Sequence, residues 1–470
     1  MDIIATTRQG KVRGRVRDGI ASFLAIPYAA APFGIHRFRA PAPVQSWDGV
    51  RDALEFGPTA PQRPYPPPLD RLIPEVEIPG EECLNLNIWA PAGEDGPLPV
   101  MVWIHGGSLR SGSAALPLYD GRAFARDGVV LVSINYRLGV EGFGVFPDAP
   151  DNRGLLDQIA ALTWVRDNIA AFRGDPGRVT VCGESAGAVS IAALMAGARA
   201  AGLFHRAILQ SGPPQTVTRG QGAKTVRAMA KRLRVPATAE EFAAVNRERL
   251  LDAQDAVVGR ANPISGGPGF HIVVDDDVVP ADPPLPSVDL LLGCNREEYR
   301  LWFVPSGALD RVNGLTLRLA LLKSRIPGRV ARLYRASRPG AKPGVILGEM
   351  ATDFLLRGPL NRLADSRPAR TYLYEFAWRS PVMELGACHA LEIGFVFDNL
   401  RRGETLTGPD APQPLADAMH RAWVAFATTG DPGWPAWDAR RPVMVFDHPH
   451  AGTVLAPRQE ELEPWLQLDL

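Results

Sequence analysis

Val179-Thr-Val-Cys-Gly183-Glu-Ser185-Ala-Gly187-Ala188 is the stretch whose reading decides this chain. A short apolar run leads into Gly183-x-Ser185-x-Gly187, and a run of small and apolar residues, Ala188-Val-Ser-Ile-Ala-Ala-Leu-Met195, follows. The order predicts a strand, a sharp turn and a helix. Glycines flanking the serine remove the Cβ atoms that would clash in so tight a turn, so the hydroxyl is pushed clear of the backbone. The helix behind it aims its first N–H groups at the same spot and favours negative charge there.

Working outward, Pro99–Ile104 and Val129–Asn135 are continuous apolar runs, which suits strands of a sheet covered on both faces. Ala207–Gly212, Leu290–Gly293 and Thr371–Phe376 read as further strands. Leu155, Ile159, Leu162, Val165, Ile169 and Phe172 recur at steps of three and four, the pattern of an amphipathic helix. Alternating strands and helices predict an α/β fold with a mostly parallel central sheet covered by helices. The stretches 217–261 and 309–365 read as helical insertions over the active site of a single domain spanning residues 1–470. Pro61 to Pro79 is a proline-rich loop too long for a simple connection, and such loops in compact enzymes are usually functional or mobile.

The totals narrow the partners. Lys+Arg and Asp+Glu are both 51 in 470 residues, so no charge excess points to nucleic acid or an anionic surface as the main partner. No apolar run reaches the roughly 20 residues of a membrane span. The first ten residues lack a charged n-region followed by an apolar h-region, so no secretion signal is expected. Cys83, Cys182, Cys294 and Cys388 form no C-x-x-C pair, and a cytoplasmic protein with reduced, buried thiols is the expectation. Gly107-Ser-Leu-Arg-Ser-Gly112-Ser113 has phosphate-loop glycine spacing but no lysine after the second glycine, which argues against nucleotide binding. Asp275-Asp-Asp277 reads as a solvated turn rather than a metal cluster.

A serine hydroxyl becomes a nucleophile only when a base takes its proton and a third group holds that base in the right tautomer. With the nucleophile on a strand-to-helix elbow, the partners follow in the order Ser, acid, His. His389, in Leu385-Gly-Ala-Cys-His389-Ala-Leu-Glu392, follows a predicted strand, whereas His420 in an Ala-rich helix and His448 and His450 in the tail suit surface roles. Arg296-Glu297-Glu298-Tyr299 comes off the Leu290 strand and offers the acid, with Glu298 preferred and Glu297 its rival. Trp103-Ile-His105-Gly106-Gly107-Ser108 ends a strand with two glycines whose N–H groups, with that of Ala186, can form an oxyanion hole. His105 itself reads as a structural hydrogen-bonding residue.

Read together, these segments make the chain resemble the type-B carboxylesterases, the α/β-hydrolase family of cholinesterases and para-nitrobenzyl esterases. The resemblance rests on Phe23-Leu-Ala-Ile-Pro-Tyr-Ala29, Glu81-Glu-Cys-Leu-Asn-Leu-Asn87, His105-Gly-Gly107, Asn135-Tyr-Arg-Leu-Gly139, Asn152-Arg-Gly-Leu-Leu-Asp-Gln158, Gly174-Asp-Pro176, Gly183-Glu-Ser-Ala-Gly187 and Gly386-Ala-Cys-His389, in that order. It implies an α/β-hydrolase fold, nucleophile Ser185, acid Glu298, base His389 and an oxyanion hole from Gly106, Gly107 and Ala186. It also implies Glu184 and Ser211 as supporting residues, and no metal or organic cofactor. The chain departs from the family in lacking a cysteine partner for Cys83, in its Glu297-Glu298 pair, and in Ser108-Leu109 at the acyl pocket. The expected activity is hydrolysis of small to medium uncharged esters through an acyl-enzyme. The alternatives are an amide, carbamate or thioester hydrolase on the same residues, and a non-catalytic adhesion relative, which would lack the nucleophile.

Overall fold

The computed structural model describes residues 1–93, 96–258, 269–282, 287–367 and 369–467. Among them one sheet of thirteen strands runs through the molecule. The first four strands are β1 (Asp2–Thr6), β2 (Lys11–Arg17), β3 (Ile20–Pro27) and β4 (Val50–Asp52). Next come β5 (Asn85–Pro91), β6 (Leu98–Ile104), β7 (Val130–Ile134), β8 (Gly174–Glu184) and β9 (Arg206–Gln210). The last are β10 (Asp289–Asn295), β11 (Thr371–Phe376), β12 (Pro442–Phe446) and β13 (Gly452–Leu455). Their spatial order is β1-β2-β3-β5-β7-β6-β8-β9-β10-β11-β12-β13, with β4 beside β2. From β7 to β12 every pairing is parallel, and antiparallel strands close both ends.

The apolar runs are continuous because both faces are covered. Successive side chains of a strand point to opposite faces. Val100, Val102 and Ile104 of β6 and Val130 and Val132 of β7 enter one buried cluster, and Met101, Trp103 and Leu131 enter the other. On the first face lie α1 (Arg153–Asn168), through Leu155, Leu162 and Val165, and α2 (Ala186–Ala196), through Ala188 and Ile191. The second face is covered by the long helix Gln413–Thr429, through Met419, Trp423 and Phe426.

Where described, both stretches are largely helical. Residues 219–258 fold as Arg219–Leu233, Ala239–Ala243 and Arg247–Val258, the first capped by a Thr218/Gln221 capping box; residues 259–261 lie outside those described. The later stretch includes α3 (Gly314–Lys323) and α4 (Gly328–Ser337), which share a small cluster of Leu317, Tyr334, Ile346 and Trp465. The proline-rich loop contains one short helix, Leu69–Leu72. Asp275 does form a turn, its Oδ1 accepting the N–H groups of Asp277, Val278 and Val279.

His420 corrects the sequence reading. It is buried, with Nδ1 2.7 Å from the carbonyl of Val396 and Nε2 3.1 Å from Asp127. An alanine-rich helix looked like a surface helix, but its face toward the sheet includes position 420.

Parallel register brings the chemistry together. Ile104 pairs with Gly183, Glu184 with Gln210, and Gln210 with Gly293. The residues that follow β6, β8, β9 and β10 therefore emerge along one edge, at the carboxyl ends of the strands.

Candidate active site

Ser185 sits directly after β8 with φ 53° and ψ −122°, a backbone conformation that L-residues rarely adopt. Close packing holds it there. A Cβ on Gly187 would lie 2.0 Å from the carbonyl oxygen of Ile104, and one on Gly183 2.8 Å from the same atom. The Ser185 N–H donates to Gln210 O at 2.8 Å, which ties the turn to the end of β9.

The two neighbouring glutamates diverge. Glu298 Oε1 accepts from Ser211 Oγ at 2.6 Å and from the Asn295 N–H at 2.7 Å, while Oε2 lies 2.5 Å from His389 Nδ1. The Glu297 carboxylate points the other way: it accepts the Ala387 N–H at 3.1 Å and faces Arg300 at 3.6 Å and Arg379 at 3.4 Å. The neighbouring main chain joins the same strap, with the Glu297 N–H donating to Ala387 O and the His389 N–H to Glu298 O. A Cβ at Gly386, where φ is +59°, would strike Glu297 Oε2 at 2.3 Å. The glycine before the histidine is what allows this approach.

The His389 ring leans on Trp302, 4.9 Å between centroids, and its Nε2 lies 3.0 Å from Glu184 Oε1. Among the described residues no hydrogen bond joins Nε2 to Ser185 Oγ. Burial disfavours a charged imidazole, but the Glu184 and Glu298 carboxylates outweigh it and hold His389 well above the ordinary histidine value. Glu184 is thus in direct contact with the ring.

Opposite Ser185, the backbone after β6 is packed without room for side chains. A Cβ on Gly106 would lie 2.8 Å from Glu184 Oε2 and 3.2 Å from Ser185 Cβ; one on Gly107, at φ +111°, would lie 1.9 Å from Ser111 O. Among the described residues no hydrogen bond is made by the N–H groups of Gly106, Gly107 or Ala186. His105 is buried and stacks on Tyr136, and its Nδ1 lies 2.8 Å from Gly106 O. Burial lowers it to about 4, so it stays neutral and structural.

Two cavities meet at Ser185, His389 and Trp302. The larger, about 720 Å³, is roofed by the proline-rich loop through Tyr65, Leu72, Ile73 and Glu75, with Glu184 and Tyr119 in its wall. The smaller, about 340 Å³, is mostly apolar, lined by Leu109, Val189, Pro213, Phe270, Ile272 and Leu355. Two carboxyls here escaped the sequence reading. Glu75 has both carboxylate oxygens buried beside Ser111, and burial pushes it up to about 7. Glu392 lies behind the histidine, accepting from Gln210 Nε2 at 2.9 Å and Asn295 Nδ2 at 2.7 Å. Burial first, then the Glu184 and Glu298 charges, push Glu392 up to about 7. Its place three residues after His389 was the available signal; Glu75 had none. All four cysteines are free and buried.

A parallel sheet with a serine elbow after a central strand, and a glutamate–histidine pair beside it, defines an α/β-hydrolase. The chain matches the model of the carboxylesterase family over residues 1–460. It is 38% identical to the para-nitrobenzyl esterase of Bacillus subtilis (strain 168), over 94% of each chain. It is 36% identical to the phenmedipham hydrolase of Pseudarthrobacter oxydans, again over 94% of each. Among solved structures, a Geobacillus stearothermophilus carboxylesterase superposes with a TM-score of 0.87 at 34% identity, covering 98% of this chain and 99% of that one. The chain belongs to the carboxylesterase family. It is a serine hydrolase of carboxylic esters.

Proposed function

We propose that Ser185 is the nucleophile, His389 the base and Glu298 the acid, with the N–H groups of Gly106, Gly107 and Ala186 as the oxyanion hole. The observation that carries this reading is the 2.5 Å contact between His389 Nδ1 and Glu298 Oε2, made beside a serine held on a strained elbow. In the resting arrangement His389 Nε2 faces Glu184. On substrate entry the deprotonated ring turns to Ser185 Oγ and takes its proton as the oxygen attacks the ester carbonyl. Charge builds on the carbonyl oxygen, where each aligned N–H contributes about 2.7–4 kcal/mol to the transition state. The tetrahedral intermediate collapses, His389 gives its proton to the departing alkoxide, and the acyl group stays on Ser185. Water repeats the sequence and releases the acid. Glu298 keeps the proton on Nδ1 and stabilises the transient imidazolium; Ser211 and the Asn295 N–H hold Glu298 in turn.

The apolar smaller cavity supports an uncharged acyl group of moderate size. The stretches 217–258 and 309–365 act as insertions on one catalytic domain, since each lies between strands of the same sheet. Four unpaired thiols support a reducing, cytoplasmic setting. The test is a pre-steady-state time course with a short-chain para-nitrophenyl ester on wild type and Ser185→Ala. Turnover confined to wild type, with a nitrophenol burst when acylation outruns deacylation, is the expected result. Equal turnover by a folded Ser185→Ala variant refutes the assignment.

A further inference from the structure

Helices α3 and α4 carry a surface that the catalytic reading does not use. In α3, Leu317 and Leu321 turn inward, while Leu315, Leu319 and Leu322 are 66%, 57% and 76% exposed. At 100° per residue those three form one stripe opposite the buried pair, with Arg318 along one side of it and Lys323 along the other. In α4, Val330, Ala331 and Tyr334 are buried, and Arg329, Arg332 and Arg335 face outward beside the partly exposed Leu333. The sequence 311–338 contains eight Arg and Lys and not a single Asp or Glu, in a chain whose charges otherwise balance. Of these, Arg338 is paired with Glu349 and Glu461, and Arg311 donates to Ser306 O. Arg318, Lys323, Arg325, Arg329, Arg332 and Arg335 are exposed and have no acidic partner among the described residues.

We propose that this face docks the enzyme on an anionic lipid surface. Exposed leucines between unneutralised cations match both layers of a bilayer interface: the apolar stripe enters the acyl boundary and the guanidinium and ammonium groups meet the headgroups. A second copy of the chain is the weaker occupant, because a two-fold contact sets the same six cations against themselves. No helix among the described residues is long and apolar enough to cross a membrane, so the contact is peripheral. The surface begins next to the catalytic entrance: Ser306 and Arg311, just before α3, line the larger cavity. Resting on the proposed function, this makes apolar esters dissolved in a lipid phase the favoured substrate class.

The test is co-sedimentation of the full chain with vesicles of phosphatidylcholine alone and of phosphatidylcholine with phosphatidylglycerol, at low and high salt. Binding is expected with the anionic vesicles only, and to fall with salt. Arg329→Glu with Arg332→Glu should weaken it at least about tenfold, and so should Leu319→Ser with Leu322→Ser. Arg329→Lys with Arg332→Lys should keep it. All these variants should hydrolyse a water-soluble ester at the wild-type rate. Ser185→Ala should lose hydrolysis but still sediment, which separates a failure of the docking face from a failure of the catalytic assignment. Equal binding to both vesicle types, or none to either, overturns the proposal. So does a dimer in sedimentation velocity that the serine variants dissolve.

Discussion

Replacing Glu298 by glutamine changes one oxygen to an amide nitrogen, and the structure dictates where that nitrogen goes. Oε1 accepts from two donors, the Asn295 N–H at 2.7 Å and Ser211 Oγ at 2.6 Å. The Asn295 N–H cannot reverse its role, so the glutamine oxygen stays there and the NH₂ group turns to His389 Nδ1, where Oε2 now sits at 2.5 Å. An N–H facing Nδ1 forces the imidazole to carry its proton on Nε2. That tautomer cannot accept the Ser185 proton. Such a tautomer error is worth about 10⁴-fold in kcat, or about 5 kcal/mol. Glu297→Gln makes the matched control. Its carboxylate holds the Ala387 N–H and two arginines rather than the imidazole. It should lower Tm by a few degrees, while kcat stays within about tenfold of wild type. The assay is kcat and KM on para-nitrophenyl acetate, with circular dichroism to confirm folding. Less than a tenfold loss in a folded Glu298→Gln, or a larger loss in Glu297→Gln, refutes the reasoning.

Three further outcomes are expected. Glu184→Gln removes one of the two carboxylates that stabilise the imidazolium, so the acid limb of the kcat/KM profile should move to lower pH; a limb that stays or moves upward contradicts the assigned contact. Glu392 is held at about 7 in the folded protein against an ordinary 4.5, so the folded state binds the extra proton between those values. Stability is then greatest below about 4.5 for this group and falls as pH rises to about 7, by up to about 3 kcal/mol. Urea melts across that range should show a steeper fall in wild type than in Glu392→Gln, since Glu75, also raised to about 7, contributes the same slope to both. Gly107→Ala sets a Cβ against Ser111 O, so the loop bearing the oxyanion donors must shift; kcat should fall about 10²–10³-fold with little change in KM, and a wild-type kcat would sink that reading.

Local physics made much of this protein legible. Short continuous apolar runs rich in β-branched residues suit strands hidden on both faces, and Val100 to Ile104 and Val130 to Ile134 are such strands. Gly183-x-Ser185-x-Gly187 demands an elbow because no Cβ fits at either glycine, and that constraint acts within a few residues and one neighbouring strand. Other features are set by contacts between segments far apart in the chain. Two adjacent glutamates on a turn project in opposite directions, and which one meets His389 depends on how the loop after β11 returns over β10. Burial of His420 depends on what packs against its helix, which composition does not encode. The resting contact of His389 with Glu184, the buried oxygens of Glu75 in the proline-rich loop, and the buried carboxyl of Glu392 arise the same way. The sequence alone determined which residues could do chemistry, because turn sterics and side-chain period are local. Only the tertiary structure decided how they are charged and which of them touch, because desolvation and Coulomb terms depend on neighbours that the chain brings together from 91 to 182 residues away.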